Sequence, residues 1–60
     1  MKNRLIELAG TVEQQATVLS ETGVRMLYMD GTPEKNIREL EFARDQVDRV
    51  LEEYRRLCSL

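Results

Sequence analysis

The chain has 60 residues, and its composition of 42% hydrophobic and 33% charged residues lies outside the range typical of disordered proteins. The net charge is only −2, and nine basic and eleven acidic residues are mixed along the sequence, so no patch of one sign indicates nucleic acid or an anionic membrane. A chain this short buries only roughly 60% of the surface that its unfolded form exposes, so a core of its own is marginal.

The usual ways of stabilising so small a fold are disulfides, a metal ion or oligomerisation. Cys58 is the only cysteine and there is no histidine, which excludes an intrachain disulfide and a Cys/His metal site. Oligomerisation or a bound partner remains, and we expect no cofactor and no metal. An unpaired thiol suits the reducing cytoplasm, where we expect the protein to reside, and an interchain disulfide through Cys58 stays open.

The sequence has neither the pattern of a membrane span nor that of an N-terminal signal peptide. No apolar run approaches the roughly 18 residues that a membrane span needs, and the N-terminus lacks the apolar segment of a signal peptide, so we expect no membrane association. The initial Met1 and the end at Leu60 favour a complete small gene product, with a trimmed chain as the alternative.

The first half of the chain has the apolar spacing of a helix, predicted over residues 3–29. Gln15 and Thr22 interrupt its main stripe. The stripe consists of Leu5, Leu8, Val12, Leu19, Met26 and Met29. Beside it, Ala9, Ala16 and Gly23 recur at seven-residue intervals. Because small side chains permit close approach, we expect the two helices of the chain to meet along this line.

Two glycines leave the continuity of this first helix open. Gly10-Thr11 followed by Gln14 has capping-box spacing, which would divide the segment into two shorter helices. Gly23 weakens a helix by roughly 1 kcal/mol relative to alanine. We predict one continuous helix, with a break near either glycine as the alternative.

Residues 30–32 have the composition of a tight turn between two helices. Gly31 can adopt the left-handed conformation that closes a helix. Thr32 is a good N-cap, Pro33 is favoured at the first helical position, and Glu34 suits the positive end of the helix dipole. A new helix is therefore predicted to begin at Pro33.

The second helix, predicted over residues 33–58, has a more regular pattern. Its apolar residues alternate at spacings of three and four, as in the a/d seam of a coiled coil. The seam consists of Leu40, Ala43, Val47, Val50, Tyr54 and Leu57, and it is flanked by Ile37, Leu51 and Cys58. The opposite side is charged, so this helix is predicted to be amphipathic over its full length.

Two helices of similar length joined by a short turn predict an all-α fold, an antiparallel two-helix hairpin. Each helix has a wider apolar arc than one partner helix covers, so we expect two hairpins to pair into a four-helix bundle. The predicted interaction face comprises Leu19, Met26, Leu40, Ala43, Val47, Val50, Leu51, Tyr54 and Leu57. Whether the hairpins pair parallel or antiparallel stays open.

Few reactive groups are available for catalysis. Without histidine no Ser/His or Cys/His nucleophile can be built, and the three glycines are too scattered for a phosphate-binding loop. Acidic neighbours such as Asp45 with Asp48 and Glu52 with Glu53 are interpreted as a solvated charged face rather than a cation site. Composition therefore favours an interaction protein over an enzyme.

Residues 42–54, Phe-Ala-Arg-Asp-Gln-Val-Asp-Arg-Val-Leu-Glu-Glu-Tyr, resemble the second helix of the small sporulation-type aspartyl-phosphate phosphatases. These are two-helix proteins that act on phosphorylated response regulators, and their signature is Ser-Gln-x-Leu-Asp, an apolar pair and a tyrosine. The matching positions are Val47, Asp48, Val50, Leu51 and Tyr54. Arg44 and Asp45 replace the serine and glutamine. The resemblance implies a helix that lies against the regulator's active site with Asp48 as its main polar contact, and binding without dephosphorylation stays open.

Three functions follow as hypotheses. The leading one is a regulator, adaptor or co-chaperone that binds a second copy of itself, another protein, or both through an apolar helical face. The alternative is an aspartyl-phosphate phosphatase, or a binder of the phosphorylated regulator, with Asp48 at its site. A nucleic-acid-binding hairpin would need five basic side chains to converge in a dimer, namely Lys2, Arg4, Arg25, Lys35 and Arg38.

Overall fold

The computed structural model describes residues 2–59, which form two α-helices, α1 at Lys2–Leu27 and α2 at Pro33–Cys58. Contacts join Arg4 to Glu53 near one end and Arg25 to Glu39 near the other, so the helices run antiparallel. The Cα atoms extend over 45 × 15 × 12 Å. The predicted all-α hairpin is confirmed.

The first helix is continuous through both of its glycines, so the alternative of a break near Gly10 or Gly23 is wrong. A Cβ atom added at either glycine would meet nothing within 4 Å outside the local helix, so neither residue is required by a close contact. The weak helix propensity of the two glycines is outweighed because the helix continues on both sides of each and α1 packs along α2.

The turn closes α1 two residues before the predicted end. The amide of Asp30 donates to the carbonyl of Arg25 at 2.8 Å, and the amide of Met29 donates to the carbonyl of Met26 at 3.3 Å. This pair of bonds is the Schellman motif, whose left-handed residue here is Met29, with φ of 57°. Gly31 is also left-handed, with φ of 73°, but it lies beyond the closure. The prediction that Gly31 closes the helix is therefore wrong.

The start of α2 follows the capping chemistry predicted from the sequence. The Oγ1 atom of Thr32 accepts a hydrogen bond from the amide of Lys35 at 3.2 Å, and the carbonyl of Thr32 accepts one from the amide of Asn36 at 3.1 Å. Pro33 occupies the first helical position, where no partner is needed for its nitrogen. These groups fix the direction in which α2 leaves the turn.

The contact between the helices runs along one narrow row on each of them, which we name the closed seam. It is defined by the buried residues Leu8, Gln15 and Thr22 of α1 and Asn36 and Ala43 of α2. Successive members are seven residues apart, so each row follows one side of its helix. Three of the five side chains are polar, and Ala43 is fully buried. The seam therefore buries little apolar surface.

The predicted line of close approach is not where the helices meet. Ala9, Ala16 and Gly23 are exposed, and the buried row lies one residue earlier at each step, at Leu8, Gln15 and Thr22. The small residue that lets the helices approach is on α2, where the absence of a longer side chain at Ala43 leaves room for α1. The small residues of α1 border the seam on one side.

Candidate interaction face

One long side of the hairpin carries a second pair of apolar rows, which we name the open face. Its members are Leu5, Val12, Leu19 and Met26 of α1 and Leu40, Val47 and Tyr54 of α2. They too recur every seven residues, offset by four positions from the closed seam. Leu40 is half-buried and the others are between 38% and 52% exposed. Their inner sides rest on the hairpin and their outer sides contact no other part of the described chain.

Two hollows show that the rows of α1 and α2 lie on the same side. At the end away from the turn, Leu5 and Val12 line a hollow together with Tyr54. At the turn end, Met26 lines a second hollow of about 410 Å³ together with Leu40 and Ile37. Leu19 and Val47 continue the same rows between these ends. The open face is therefore one apolar strip along the whole hairpin.

The other long side, which we name the polar face, carries ion pairs between the helices. The guanidinium of Arg4 bonds both carboxylate oxygens of Glu53, and it also bonds Glu7 at 2.7 Å. The hydrogen bond from Arg4 lowers the pKa of the Glu53 carboxyl, and the positive charge of Arg4 acts in the same direction. The pKa of Arg4 is raised, chiefly by the same hydrogen bond. One end of the hairpin is thus bridged by charge.

A three-residue network bridges the polar face toward the turn. The Oγ1 atom of Thr22, fully buried, donates to Oε2 of Glu39 at 2.8 Å, and Arg25 forms an ion pair with the same oxygen. Arg25 also donates to Oγ1 of Thr22 at 3.0 Å. The hydrogen bond from Thr22 is the main cause that lowers the pKa of Glu39, assisted by the positive charge of Arg25 and opposed by partial desolvation.

Two buried amide side chains of the closed seam lack complete hydrogen bonding. Gln15 is 6% exposed and Asn36 is 9% exposed. The Oε1 atom of Gln15 and the Oδ1 atom of Asn36 have no donor among the described residues. A buried acceptor without a donor costs roughly 1–3 kcal/mol. Asn36 also lines the hollow at the turn.

The predicted interaction residues fall into three groups. Leu19, Met26, Val47, Leu51 and Tyr54 are exposed, whereas Leu40, Val50 and Leu57 are half-buried. Ala43 is fully buried against α1 and has no surface for another chain, so its inclusion in the interaction face is wrong. The regular a/d seam predicted on α2 divides into two rows. One row faces α1 and consists of Ala43, Val50 and Leu57. The other lies along the open face and consists of Leu40, Val47 and Tyr54.

Three residues of the site were absent from the interaction face predicted from the sequence. Leu5 and Val12 belong to the open face, and Asn36 lies at its turn end. The signal that could have identified Asn36 is its seven-residue step from Ala43, which continues to Val50 and Leu57. A polar residue in an otherwise apolar row is easily read as the edge of the pattern.

The other sequence-predicted groups are dispersed. Asp48 is exposed on α2, and no hydrogen bond or ion pair connects its side chain to the rest of the described range. Arg4 and Arg25, two of the basic residues of the nucleic-acid hypothesis, are neutralised by Glu53 and Glu39. Lys35 and Arg38 line a hollow with Glu39 on the polar face, and the side chain of Lys2 lies outside the described residues.

Across residues 2–59, no cluster of three acidic, cysteine or histidine side chains is arranged to hold a metal ion. Over the same range, neither helix combines the length and the apolar character needed to cross a membrane. The chain has no significant match among protein-family models, curated proteins or solved structures.

Proposed function

We propose that the protein is a small protein–protein interaction module that acts through its open face, and that a second copy of the hairpin is a partner. The observation that carries the proposal is that each helix has two rows of a coiled-coil pattern, of which only one is covered within the hairpin. On each helix the closed seam and the open face together make a complete a/d repeat, with spacings of three and four, but the hairpin covers only one of the two rows. The second row has the spacing that fits another helix.

The dimensions of the open face suit a second hairpin. The Cα atoms extend over 45 by 15 Å, which in projection is of the order of 700 Å² before side chains are added. A stable protein interface buries about 800 Å² per partner. Two antiparallel helices with the same seven-residue spacing place one helix over each row. A second copy supplies such a pair in a four-helix bundle.

The decisive comparison is between two valines. Val47 lies in the open face and is 38% exposed, whereas Val24 is 52% exposed on the outer side of α1, two residues beyond the buried Thr22. Val47→Asp should raise the dimer dissociation constant by about 100-fold or more, because it places an unpaired charge in an apolar contact. Val24→Asp introduces the same helix-propensity change outside the face and should leave the constant within about threefold of the wild type.

Sedimentation equilibrium measures both constants, and far-UV circular dichroism establishes that both variants stay helical. A wild-type chain that sediments as a folded monomer at micromolar concentration would refute self-association. Equal weakening by the two substitutions would refute the assignment of the face. The same two variants serve as bait and control in an affinity pull-down, where a target of the open face should be lost with Val47→Asp and retained with Val24→Asp.

A second function rests on Asp48, in an aspartyl-phosphate phosphatase or a binder of the phosphorylated regulator. What favours it is the free carboxylate: Asp48 is exposed beside the apolar Leu51, in a position open to an incoming protein surface. The helical residues 42–54 that resemble this family's signature support the same hypothesis. Incubation with a panel of phosphorylated receiver domains tests it. Decay that accelerates with wild type and not with Asp48→Asn supports it, and unchanged decay throughout excludes catalysis.

A further inference from the structure

We infer that the two hairpins pair antiparallel, with their turns at opposite ends. In this arrangement Tyr54 of each copy fills the hollow at the turn end of the other copy, which we name the turn hollow, and hydrogen-bonds Asn36 there. This inference rests on the proposed function, because it requires that the open face binds a second copy. It adds the orientation of the dimer and names a site that one chain cannot complete alone.

The turn hollow lacks both an apolar occupant and a polar partner. The hollow has a volume of about 410 Å³ and borders the open face at Met26 and Leu40, and its lining is apolar apart from Asp30, Gly31 and one buried amide. The lining residues include Met26, Met29, Pro33, Ile37 and Leu40. The amide is that of Asn36, which is 91% removed from solvent and whose Oδ1 has no donor within residues 2–59. An aromatic ring that ends in a hydroxyl meets both needs.

Tyr54 has that chemistry and stands at the right distance. It is 51% exposed at the other end of the open face. In the 26-residue helix α2, Tyr54 and Ile37 lie equally far from the midpoint, each about 13 Å away at 1.5 Å per residue. A twofold axis that crosses α2 at its midpoint therefore brings each Tyr54 opposite Ile37 of the other copy, between Asn36 and Leu40. Oδ1 is enclosed within the chain, so the hydroxyl accepts from Nδ2 as the amide stands, or donates to Oδ1 once rotation of the amide has exchanged the two atoms.

A parallel dimer leaves these needs unmet. With the twofold axis along the hairpin, both turns lie at the same end and the two turn hollows face each other. Each Tyr54 would then lie over Leu5 and Leu8 of the second copy, in a hollow lined by apolar side chains and Glu13, and far from Asn36. The amides of Asn36 would remain unpaired beside an enlarged void, and voids and unpaired buried acceptors both destabilise an interface.

The native cysteine reports the orientation directly. Cys58 is exposed at the last residue of α2 and is the only cysteine of the chain, so a nitroxide label can be attached without any substitution. The antiparallel dimer places the two labelled residues about 38 Å apart along the bundle, because each lies about 19 Å from the midpoint of α2. Pulsed dipolar spectroscopy measures this distance, and sedimentation establishes that the labelled chain associates like the unlabelled one.

A distance near 40 Å supports the inference. A distance below about 20 Å overturns it and leaves the proposed dimer standing, since this is the value for turns at the same end. The absence of dipolar coupling from a chain that sediments as a monomer overturns the inference and self-association together. These three results separate the failure of the orientation from the failure of the proposed function.

A double-mutant cycle tests the contact between Tyr54 and Asn36. Tyr54→Phe and Asn36→Ala should each raise the dimer dissociation constant about fivefold, and the double variant should be little weaker than either, because both remove the same hydrogen bond. Tyr28, which is 72% exposed and outside the open face, provides the matched control. Tyr28→Phe should leave the constant unchanged. Additive effects of the Tyr54 and Asn36 substitutions would overturn the assigned contact.

Discussion

The two long sides of this hairpin differ in whether their side chains find a partner on the other helix. Both lie beside the closed seam, and each consists of one row from α1 and one from α2. On the polar face, Arg4 meets Glu53 and Arg25 meets Glu39, so the side chains that leave one helix end on the other. On the open face, Leu19 and Val47 lie in corresponding rows and still present 40% and 38% of their surface to solvent.

This difference separates a side that is complete within one chain from a side that is not. Ion pairs between partly exposed groups contribute little stability, in the range of 0–1 kcal/mol, but they need no further partner. Each Å² of apolar surface that stays exposed leaves roughly 25 cal/mol of possible stabilisation unused. Three of the five closed-seam residues are polar, namely Gln15, Thr22 and Asn36, and fourteen large hydrophobic side chains of the described residues remain 38% or more exposed.

The most severe way to disrupt the hairpin should be to enlarge its closest contact. Ala43 is fully buried beneath α1, so Ala43→Leu inserts three carbon atoms where the helices touch. Overpacking of this kind costs about 1–3 kcal/mol. We expect the free energy of unfolding to fall by that amount, measured by urea denaturation followed by circular dichroism.

The control for this substitution is Ala16→Leu, which adds the same atoms to an exposed position of α1. Its effect on the free energy of unfolding should stay within about 0.5 kcal/mol of zero. If Ala16→Leu were the more damaging of the two, the small residues of α1 would form the close contact after all, and the location of the closed seam would be refuted.

The sequence was sufficient to predict the helices and the turn because those features are local. Thr32, Pro33 and the apolar spacing of α2 each act through their own neighbours in the chain. The pairing of rows is not local. A spacing of three and four identifies two rows on each helix, but it does not say which row meets the other helix and which remains open.

The polar residues caused the error in the predicted contact line. Gln15 and Thr22 look like interruptions of an apolar stripe, and the small residues beside them look like the close contact. In the structure Thr22 is buried, and its hydroxyl donates a hydrogen bond to Glu39, seventeen residues away in the chain, with 2.8 Å between the two oxygens. Such a tertiary hydrogen bond leaves no trace in the periodicity of either helix. The same reasoning explains why Asn36 was missed and why Ala43 was assigned to the outer face.

A substitution of intermediate effect concerns the unpaired amide at the middle of the closed seam. Gln15→Leu removes a buried acceptor that has no donor among the described residues and keeps a side chain of similar length. We expect it to raise the free energy of unfolding by about 1 kcal/mol. The matched control is Gln14→Leu, at an exposed neighbouring position, which should change it by less than about 0.5 kcal/mol. A loss of stability in Gln15→Leu would mean that this amide is satisfied in solution.

The smallest expected effect is a pH dependence that arises on the polar face alone. The folded hairpin lowers the pKa of Glu39 below its ordinary value of 4.5, first through the hydrogen bond from Thr22 and then through the charge of Arg25. A carboxyl with a lowered pKa stabilises the folded state fully above 4.5. That stabilisation is lost as the pH falls through 4.5 to the lower folded-state value, because the unfolded chain then binds protons more readily.

Glu39→Gln removes this titration and keeps an acceptor for Thr22. We therefore expect the melting temperature of the wild type to fall more steeply than that of the variant on acidification, with the two curves diverging only below about pH 5. The side chains that define the open face include no carboxyl group. Dimer dissociation should accordingly respond to acid only through the stability of the hairpin. If the Glu39→Gln and wild-type curves ran parallel, the network around Thr22 would contribute nothing in solution, and the polar face would be as incomplete as the open one.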